Sequence, residues 1–255
     1  MSNTGIAIPV RMASSRLPNK PMVEIAGLPM IAHVWNRAKL AIGNRNVVIA
    51  TPDESIKQYM EHLGAQVFLS QQNHENGTSR IAELSNFLNW ENYIVLQGDE
   101  PLIVPHTLQA LVHATESGKP GFINTISKIE NSSELTDESV VKCAINFSNQ
   151  AIYFFRKNPS IGNSKENEDS IFKVNGLFSV DRKTLQAFGK LPVGRLESSQ
   201  SIEQFRLLEN KIEVETLLVP SSFTSVNTKE ELAKVISIMD TDAKQQDILS
   251  LYAKE

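Results

Sequence analysis

Three cationic side chains follow the first apolar segment of the chain within ten residues. Arg11, Arg16 and Lys20 lie in the run RMASSRLPNK, between small residues such as Ser14. Small side chains let backbone N–H groups approach an anion, and Arg and Lys donate charge-assisted hydrogen bonds to phosphate oxygens. The spacing matches neither the GxxxxGK[ST] loop nor the GxGxxG turn. Position and composition favour a phosphate-binding loop, and the alternative is a solvated basic loop.

A carboxylate follows a later apolar segment, in the run QGDEP. Asp99 comes two residues after the end of the predicted strand Tyr93–Gln97, and Pro101 prevents further strand pairing. A carboxylate in this position is well placed to hold Mg²⁺ that is bound to phosphates. The alternative is an acidic turn in which the aspartate caps the helix that begins near Pro105.

The third segment is HENGTSR, which runs from His74 to Arg80 and opens a predicted helix. Backbone donors at a helix start, together with Arg80, can address an anion or the polar edge of a base. The same pattern is equally typical of an ordinary helix start.

Apolar strands alternate with amphipathic helices in the first half of the chain. The predicted strands are Gly5–Val10, Asn46–Thr51, Ala65–Leu69 and Tyr93–Gln97, and the predicted helices are Met30–Ala41, Ser55–Leu63 and Thr78–Leu88. Continuous apolar strands separated by helices predict a parallel sheet that is covered on both faces. Such sheets bind ligands beyond the carboxyl ends of their strands, so we expect the polar segments to face one crevice.

The pattern changes after Leu111, where strands follow one another with fewer helices between them. Predicted strands are Gly121–Ser127, Val140–Asn146, Ala151–Phe155, Phe172–Val180 and Lys211–Val219, and predicted helices are Arg182–Lys190, Ser199–Asn210, Lys229–Met239 and the polar tail Asp240–Glu255. Asn158–Ser170 is rich in polar residues and is predicted to be a mobile loop. We expect one domain over residues 1–255, with a lid-like insertion at about 121–190.

Composition excludes several classes of protein. The 255 residues are 41% apolar and 21% charged, which is too apolar for a disordered chain. The net charge of -4 argues against a general nucleic-acid or membrane-binding surface. A lone cysteine, Cys143, excludes an internal disulfide and a cysteine-based zinc site. The N-terminal run lacks the pattern of a secretory signal, so we expect a cytoplasmic location.

The three polar segments also match a known family. The runs PVRMASSRLPNKPMVEIAGLPMIAHV, HENGTSR and VLQGDEPLI resemble those of the 3-deoxy-manno-octulosonate cytidylyltransferases, or CMP-Kdo synthetases. Weaker matches follow at IYFFR, at LE…EQFR and at VNTKEEL. The resemblance implies a nucleotide-diphospho-sugar-transferase-like α/β fold of Rossmann type. Its mostly parallel sheet would carry a smaller mixed or antiparallel insertion for a lid and for dimerisation.

The resemblance implies a role for each matching residue. Catalytic roles are implied for Arg11, Lys20 and Asp99. Nucleotide binding is implied for Arg11, Ser14, Arg16, Lys20, Thr78, Arg80 and Gln97. Sugar binding is implied for Arg156, Glu197 and Gln200, and metal binding for Asp99 and Asn227.

The implied reaction joins CTP to a sugar acid. The anomeric C2 hydroxyl of Kdo, or of a related 2-keto-3-deoxy sugar acid, would attack the α-phosphorus of CTP and release pyrophosphate. Such in-line transfers depend on positioning and charge neutralisation, which cationic side chains and Mg²⁺ provide. The family also implies a homodimer and a role in making lipopolysaccharide or capsule.

The metal region departs from the family pattern. Asn227 stands where the family has a second metal-binding carboxylate, and a neutral amide is a weaker Mg²⁺ ligand. One metal position is therefore weakened, or another acid replaces it. Glu100 and Glu230 are the nearest candidates in sequence.

The sugar region departs further. Val174 and Phe178 stand where the family has a histidine and a tyrosine, unless a one-residue shift makes both positions core. Gln200 replaces a usual carboxylate, Asn76 a serine and Asn19 a glycine. Two alternatives follow: a CTP-dependent enzyme for another sialic-acid-like sugar, or a nucleotide-binding homologue with weakened or lost transfer activity.

Overall fold

The first half of the chain alternates strands and helices, as its apolar pattern predicts. The computed structural model describes residues 3–14, 16–118, 121–157, 170–220 and 224–252. Its elements up to residue 117 are β1 (Thr4–Pro9), β2 (Glu24–Ile25), β3 (Leu28–Pro29), α1 (Met30–Ile42), β4 (Val47–Thr51), α2 (Glu54–His62), β5 (Gln66–Leu69), α3 (Gly77–Leu84), β6 (Asn92–Leu96) and α4 (Pro105–Ser117).

The second half has shorter helices and a long central strand. Its elements are β7 (Phe122–Ser127), α5 (Ser132–Thr136), β8 (Lys142–Ile145), β9 (Ala151–Phe155), β10 (Ile171–Asp181), α6 (Arg182–Phe188), α7 (Arg195–Gln200), α8 (Gln204–Glu209), β11 (Val214–Leu218), α9 (Lys229–Thr241) and α10 (Ala243–Ser250). None of the helices that the structure describes combines the length and the hydropathy needed to cross a membrane.

β1 lies between two parallel neighbours in the main sheet. Ile6 pairs with Val47 of β4 on one side and with Ile94 of β6 on the other. β5 extends the same side of the sheet, parallel to β4. The carboxyl ends of these strands therefore meet at one edge, where the segments that follow them can contact one ligand.

β10 reverses the direction of the sheet beyond β6. It pairs antiparallel with both β6 and β7, and β11 then runs parallel to β7. The hairpin of β8 and β9 extends from β10 as an antiparallel flap. The sheet is thus mainly parallel with an antiparallel extension, which confirms the predicted fold class. The region at about 121–190 contributes β7 and β10 to this sheet, and its action as a lid stays a prediction.

Helices cover both faces of the sheet. Ile6 and Ile8 of β1 pack with Val34 of α1 on one face. Ala7, between them, belongs to the cluster on the other face, together with Ile81 of α3. Successive strand residues point to opposite faces, so a continuously apolar strand is what a sheet buried on both sides requires.

The helix predicted over Ser199–Asn210 is confirmed at α8 but is wrong as a continuous helix, because residues 201–203 are not helical. α7 ends at Gln200, and Ser201 adopts a left-handed conformation with φ of 54° before α8 begins. A left-handed residue ends a right-handed helix because the following backbone can no longer continue its hydrogen bonds. The side chain of Arg156 holds this turn by donating to the carbonyl oxygens of Gln200 and Ser201, at 3.0 and 3.3 Å.

The C-terminal tail was predicted to be helical over Asp240–Glu255; its residues Ala243–Ser250 form α10, and residues 253–255 lie outside the described residues. Tyr252 anchors the tail to the core. The hydroxyl of Tyr252 lies 2.8 Å from Nδ1 of the fully buried His33. Of the loop predicted at Asn158–Ser170, residues 158–169 lie outside the described residues.

Candidate active site

A cavity of about 370 Å³ lies at the carboxyl ends of β1 and β6. Eight of the residues predicted for nucleotide or metal binding line it: Arg11, Ser14, Arg16, Lys20, Arg80, Gln97, Asp99 and Asn227. They come from four separate segments of the chain, which the parallel strand order brings to one edge. The expected convergence of the polar segments is therefore present in the structure.

The loop after β1 is held in place by specific hydrogen bonds. The backbone N–H of Met12 donates to Oδ2 of Asp53 at 2.7 Å, and the N–H of Leu17 donates to the hydroxyl of Ser14 at 3.4 Å. Asn19 has φ of 52°, a left-handed conformation that Gly adopts freely and Asn tolerates better than most residues. This explains how asparagine can stand where the resembling family has glycine.

Two oxygens at one end of the cavity share the ammonium of Lys20. Nζ of Lys20 lies 2.6 Å from Oδ2 of Asp99 and 3.1 Å from Oδ1 of Asn227. Arg16 also donates to that amide oxygen, at 3.1 Å. The N–H of Val226 donates to the carbonyl oxygen of Asp99 at 2.9 Å, which fixes the two oxygen-bearing segments side by side.

This pair of oxygens fits a single hard cation. The ammonium between Asp99 and Asn227 already occupies a cation position, and Mg²⁺ is commonly held by one or two protein oxygens plus phosphates and water. Among the described residues, no cluster of three or more His, Cys, Asp or Glu side chains has metal-binding geometry.

Neither acid proposed as a replacement for the missing carboxylate reaches the cavity. Glu100 is buried, and the hydroxyl of Ser225 donates to its Oε1 at 2.6 Å. Burial, and next the charge of Asp99, raises the pKa of Glu100 to about 8, so its carboxyl is protonated at neutral pH. Glu230 is exposed on the first turn of α9.

The start of α3 forms another wall of the cavity. Oδ1 of Asn76 accepts the N–H of Ser79 at 2.8 Å, so asparagine caps this helix as serine would. Arg80 is almost fully buried, and its Nε has no hydrogen-bond partner among the described residues. Burial, and next the charge of Arg11, lowers the pKa of Arg80. A buried, incompletely paired guanidinium is stabilised by an anionic ligand.

A second cavity of about 210 Å³ adjoins the first. Its lining is Gln97, Val141, Arg156, Val174, Asn175, Gly176, Phe178, Ser201, Ile202, Glu203 and Gln204. Val174 and Phe178 therefore face this cavity, although Phe178 is also buried and stacks on Phe122. Six of its eleven lining residues are polar or charged and four are apolar, so the cavity offers hydrogen bonds to a small polar ligand.

Of the three predicted sugar-binding residues, only Arg156 lines the second cavity. Arg156 lines the second cavity, but its guanidinium donates to backbone carbonyls, including that of Glu138 at 3.0 Å. Glu197 is buried against Arg206, with two hydrogen bonds of 2.7 and 2.5 Å, and lines neither cavity. Gln200 contributes its carbonyl oxygen to Arg156 rather than its side chain to a cavity. Sugar binding by Glu197 and Gln200 therefore gains no support from their placement.

Thr78 does not line the first cavity but contacts one of its lining residues. It is buried, and its hydroxyl donates to Oε2 of Glu203 at 2.5 Å. Sequence reasoning missed Glu203, which lines both cavities, and Asp53, which holds the loop after β1 through Met12. Asp53 follows β4 as Asp99 follows β6, so strand position was a usable signal for it. Glu203 lies within the weaker EQFR match, and nothing in that motif indicated that its side chain lines both cavities.

Comparisons with known proteins agree with this geometry. The family model described as Cytidylyltransferase matches residues 6–216. The chain is 35% identical to an 8-amino-3,8-dideoxy-manno-octulosonate cytidylyltransferase of Shewanella pealeana, covering 90% of this chain and 96% of the relative. It is 33% identical to a 3-deoxy-manno-octulosonate cytidylyltransferase of Escherichia coli, covering 94% and 97%.

Solved structures support the same relationship. A CMP:2-keto-3-deoxy-manno-octonic acid synthetase complexed with CTP superposes with a TM-score of 0.87 at 32% identity, over 94% of this chain and all of the other. A glucose-1-phosphate thymidylyltransferase from Bacillus anthracis superposes with a TM-score of 0.68 at 13% identity, over 93% and 96%, and shares the fold.

Proposed function

Because the chain belongs to the cytidylyltransferase family, we propose that it transfers a cytidylyl group from CTP to Kdo or a related 2-keto-3-deoxy sugar acid. Pyrophosphate is the second product. One observation carries the proposal: a cation-lined cavity at the carboxyl edge of the sheet adjoins a second cavity suited to a small polar acceptor.

The first cavity is assigned to the nucleotide. Arg11, Arg16 and Lys20, with the hydroxyl of Ser14, would bind the triphosphate. Arg80 and Gln97 would contact the cytosine ring and the neighbouring phosphates, and Thr78 would support them from behind. These groups hold the α-phosphorus in place and neutralise its charge, which is the main requirement of an in-line transfer.

Mg²⁺ is the proposed cofactor. Asp99 and the amide oxygen of Asn227 would hold it, since both accept hydrogen bonds from one cationic group, the ammonium of Lys20. When bound, Mg²⁺ neutralises phosphate charge. Lys20 would then move its hydrogen bonds from Asp99 to phosphate oxygens.

The second cavity is assigned to the sugar acid, with Arg156 as the source of positive charge near its carboxylate. Relatives named for Kdo and for its 8-amino analogue are similar to this chain to about the same degree, at 33% and 35% identity. Both sugars are therefore candidate acceptors, and an assay has to compare them directly.

Pyrophosphate release tests the proposal. The purified chain is incubated with Mg²⁺, with CTP, UTP or GTP, and with Kdo, 8-amino-3,8-dideoxy-Kdo or a sialic acid. Release is expected with CTP and one of the two octulosonates. Retention of CTP in calorimetry without release for any acid would contradict transfer and support a non-catalytic homologue, which the enzyme names of the relatives do not favour.

A homodimer is part of the same proposal. Phe147 and Ile152 are large exposed apolar side chains on the hairpin of β8 and β9, where a second copy would cover them. Sedimentation of the chain, compared with a Phe147→Ser and Ile152→Ser variant, tests this; an unchanged monomer in both would contradict it. We also propose a cytoplasmic enzyme that supplies a CMP-sugar for lipopolysaccharide or capsule.

A further inference from the structure

The two cavities meet at a wall made by two side chains. Among the residues that the structure describes, only Gln97 and Glu203 line both cavities. If the nucleotide occupies one cavity and the acceptor the other, the oxygen that attacks phosphorus must lie near this wall. That oxygen belongs to a hydroxyl, which has to lose its proton during the transfer.

Glu203 is the group at this wall that can accept a proton. Gln97 is an amide, and Arg156, the other charged residue in the described lining of the second cavity, has hydrogen-bond donors and no acceptor atom. Glu197 lies nearby, but both of its carboxylate oxygens accept hydrogen bonds from Arg206. Among the described residues, Glu203 accepts a hydrogen bond at Oε2 alone, from the hydroxyl of Thr78.

The charges around Glu203 come from several elements. Glu197 on α7 and Arg206 on α8 act on it directly, with opposite signs. Arg80 and Glu75 line the first cavity with it, and Arg156 lines the second. Burial raises the pKa of Glu203, the hydrogen bond from Thr78 opposes this rise, and the charge of Glu197 adds to it. A raised pKa makes a carboxylate a better base near neutral pH.

We propose that Glu203 is a catalytic residue that accepts the proton of the attacking sugar hydroxyl; this rests on the proposed function. The O–H proton moves to the carboxylate of Glu203 as the hydroxyl oxygen bonds to the α-phosphorus. The bond between that phosphorus and the pyrophosphate oxygen breaks, and pyrophosphate leaves with the electron pair. Glu203 then returns the proton to water.

Glu203→Gln is the first test, made on the full chain with CTP, Mg²⁺ and the active sugar acid. General-base catalysis contributes about 100-fold or more, so we expect kcat to fall by at least that factor. Calorimetry should show CTP affinity within about threefold of wild type, because the substitution removes no contact that the bound nucleotide makes both before and during the transfer. In Glu203→Gln, the decline of kcat at low pH should disappear. Glu203→Asp, which keeps a carboxylate, should retain part of the wild-type kcat. Retention of that decline in Glu203→Gln, or loss of CTP binding with kcat intact, would overturn the proposal.

Thr78→Val gives a readout that a purely structural role would not move. The variant keeps the carboxylate but removes the hydrogen bond that lowers its pKa. The acidic limb of kcat, measured at saturating CTP, should therefore move to higher pH. The double variant with Glu203→Gln should show no such limb, and a Thr78→Val limb at the wild-type position contradicts the assignment.

A measurement without turnover separates this proposal from the proposed function. Glutamate labelled with ¹³C at Cδ is followed by NMR in the CTP-bound chain, and the Glu203 signal is the one lost in Glu203→Gln. Titration above the ordinary glutamate pKa of about 4.3 supports the proton acceptor, and titration at or below it overturns the proposal. Failure of every sugar acid to release pyrophosphate would instead remove the proposed function.

Discussion

The ammonium of Lys20 lies 2.6 Å from Oδ2 of Asp99, although the two residues are 79 positions apart in sequence. Both side chains are mostly buried at the edge of the cavity. The pair keeps the cation proposed to bind phosphate and the carboxylate proposed to bind metal neutralised by one another. A triphosphate that takes over the ammonium would free the carboxylate for a cation, so the two ligands are expected to bind together.

Loss of a cation from the loop after β1 should reduce activity. Lys20→Ala and Arg11→Ala are each expected to lower kcat/KM for CTP by about 10- to 100-fold, because each removes a charge-assisted phosphate contact. Asn19→Gly is the matched control, since glycine fits the left-handed backbone there. Steady-state kinetics decides the matter, and equal small effects in all three variants would show that this loop does not bind the triphosphate.

Restoring a carboxylate at position 227 should strengthen metal binding. Asn227→Asp places a second negative oxygen donor beside Asp99, and ligand charge count raises affinity for hard cations. We expect Mn²⁺, used as an electron-spin probe for Mg²⁺, to bind the CTP complex about tenfold more tightly. Glu230→Gln, an exposed position on α9, is the control and should leave Mn²⁺ affinity unchanged. Identical Mn²⁺ affinities for Asn227→Asp and wild type would place the metal elsewhere.

Glu197 should matter for stability more than for nucleotide binding. Its carboxylate forms a doubly hydrogen-bonded pair with the buried Arg206. Glu197→Ala leaves that guanidinium buried without its partner, which is expected to cost about 3 kcal/mol in the free energy of unfolding. Urea unfolding measures the loss, with the exposed Glu24→Ala as control. A normal stability accompanied by weakened sugar-acid binding would return Glu197 to the acceptor site.

Glu100 should make stability fall as pH rises through neutrality. Its pKa is raised to about 8 in the folded chain, so the folded state binds more protons than the unfolded state between the two pKa values. The free energy of unfolding therefore decreases with pH over that interval. Glu100→Gln cannot ionise, and we expect it to gain up to about 2 kcal/mol over wild type between about pH 6 and about pH 8. Urea unfolding of both proteins at both pH values tests this. A free energy of unfolding that changes equally with pH in wild type and Glu100→Gln would refute it.

Local patterns predicted most of the first half of the chain. The alternation of apolar strands and amphipathic helices indicated β1, α1, β4, α2, β5 and α3 within a few residues, because burial on both faces demands apolar residues at every strand position. The short strands β2 and β3 were not predicted. The helix predicted over Ser199–Asn210 was wrong only in being continuous, because the left-handed Ser201 breaks it and is held by Arg156, a contact from a distant part of the chain. Propensity within the segment gives no sign of that contact.

The sequence by itself determined that cationic and acidic groups follow buried strands, and therefore that they lie at one edge of a parallel sheet. Only the tertiary structure decided which of them meet. Glu203 reaches Thr78 across 125 residues, and Asn227 reaches Lys20 across 207. Such pairings depend on where the antiparallel β10 and the helices after it return to the sheet. No local spacing encodes that placement, because it results from the packing of the whole core.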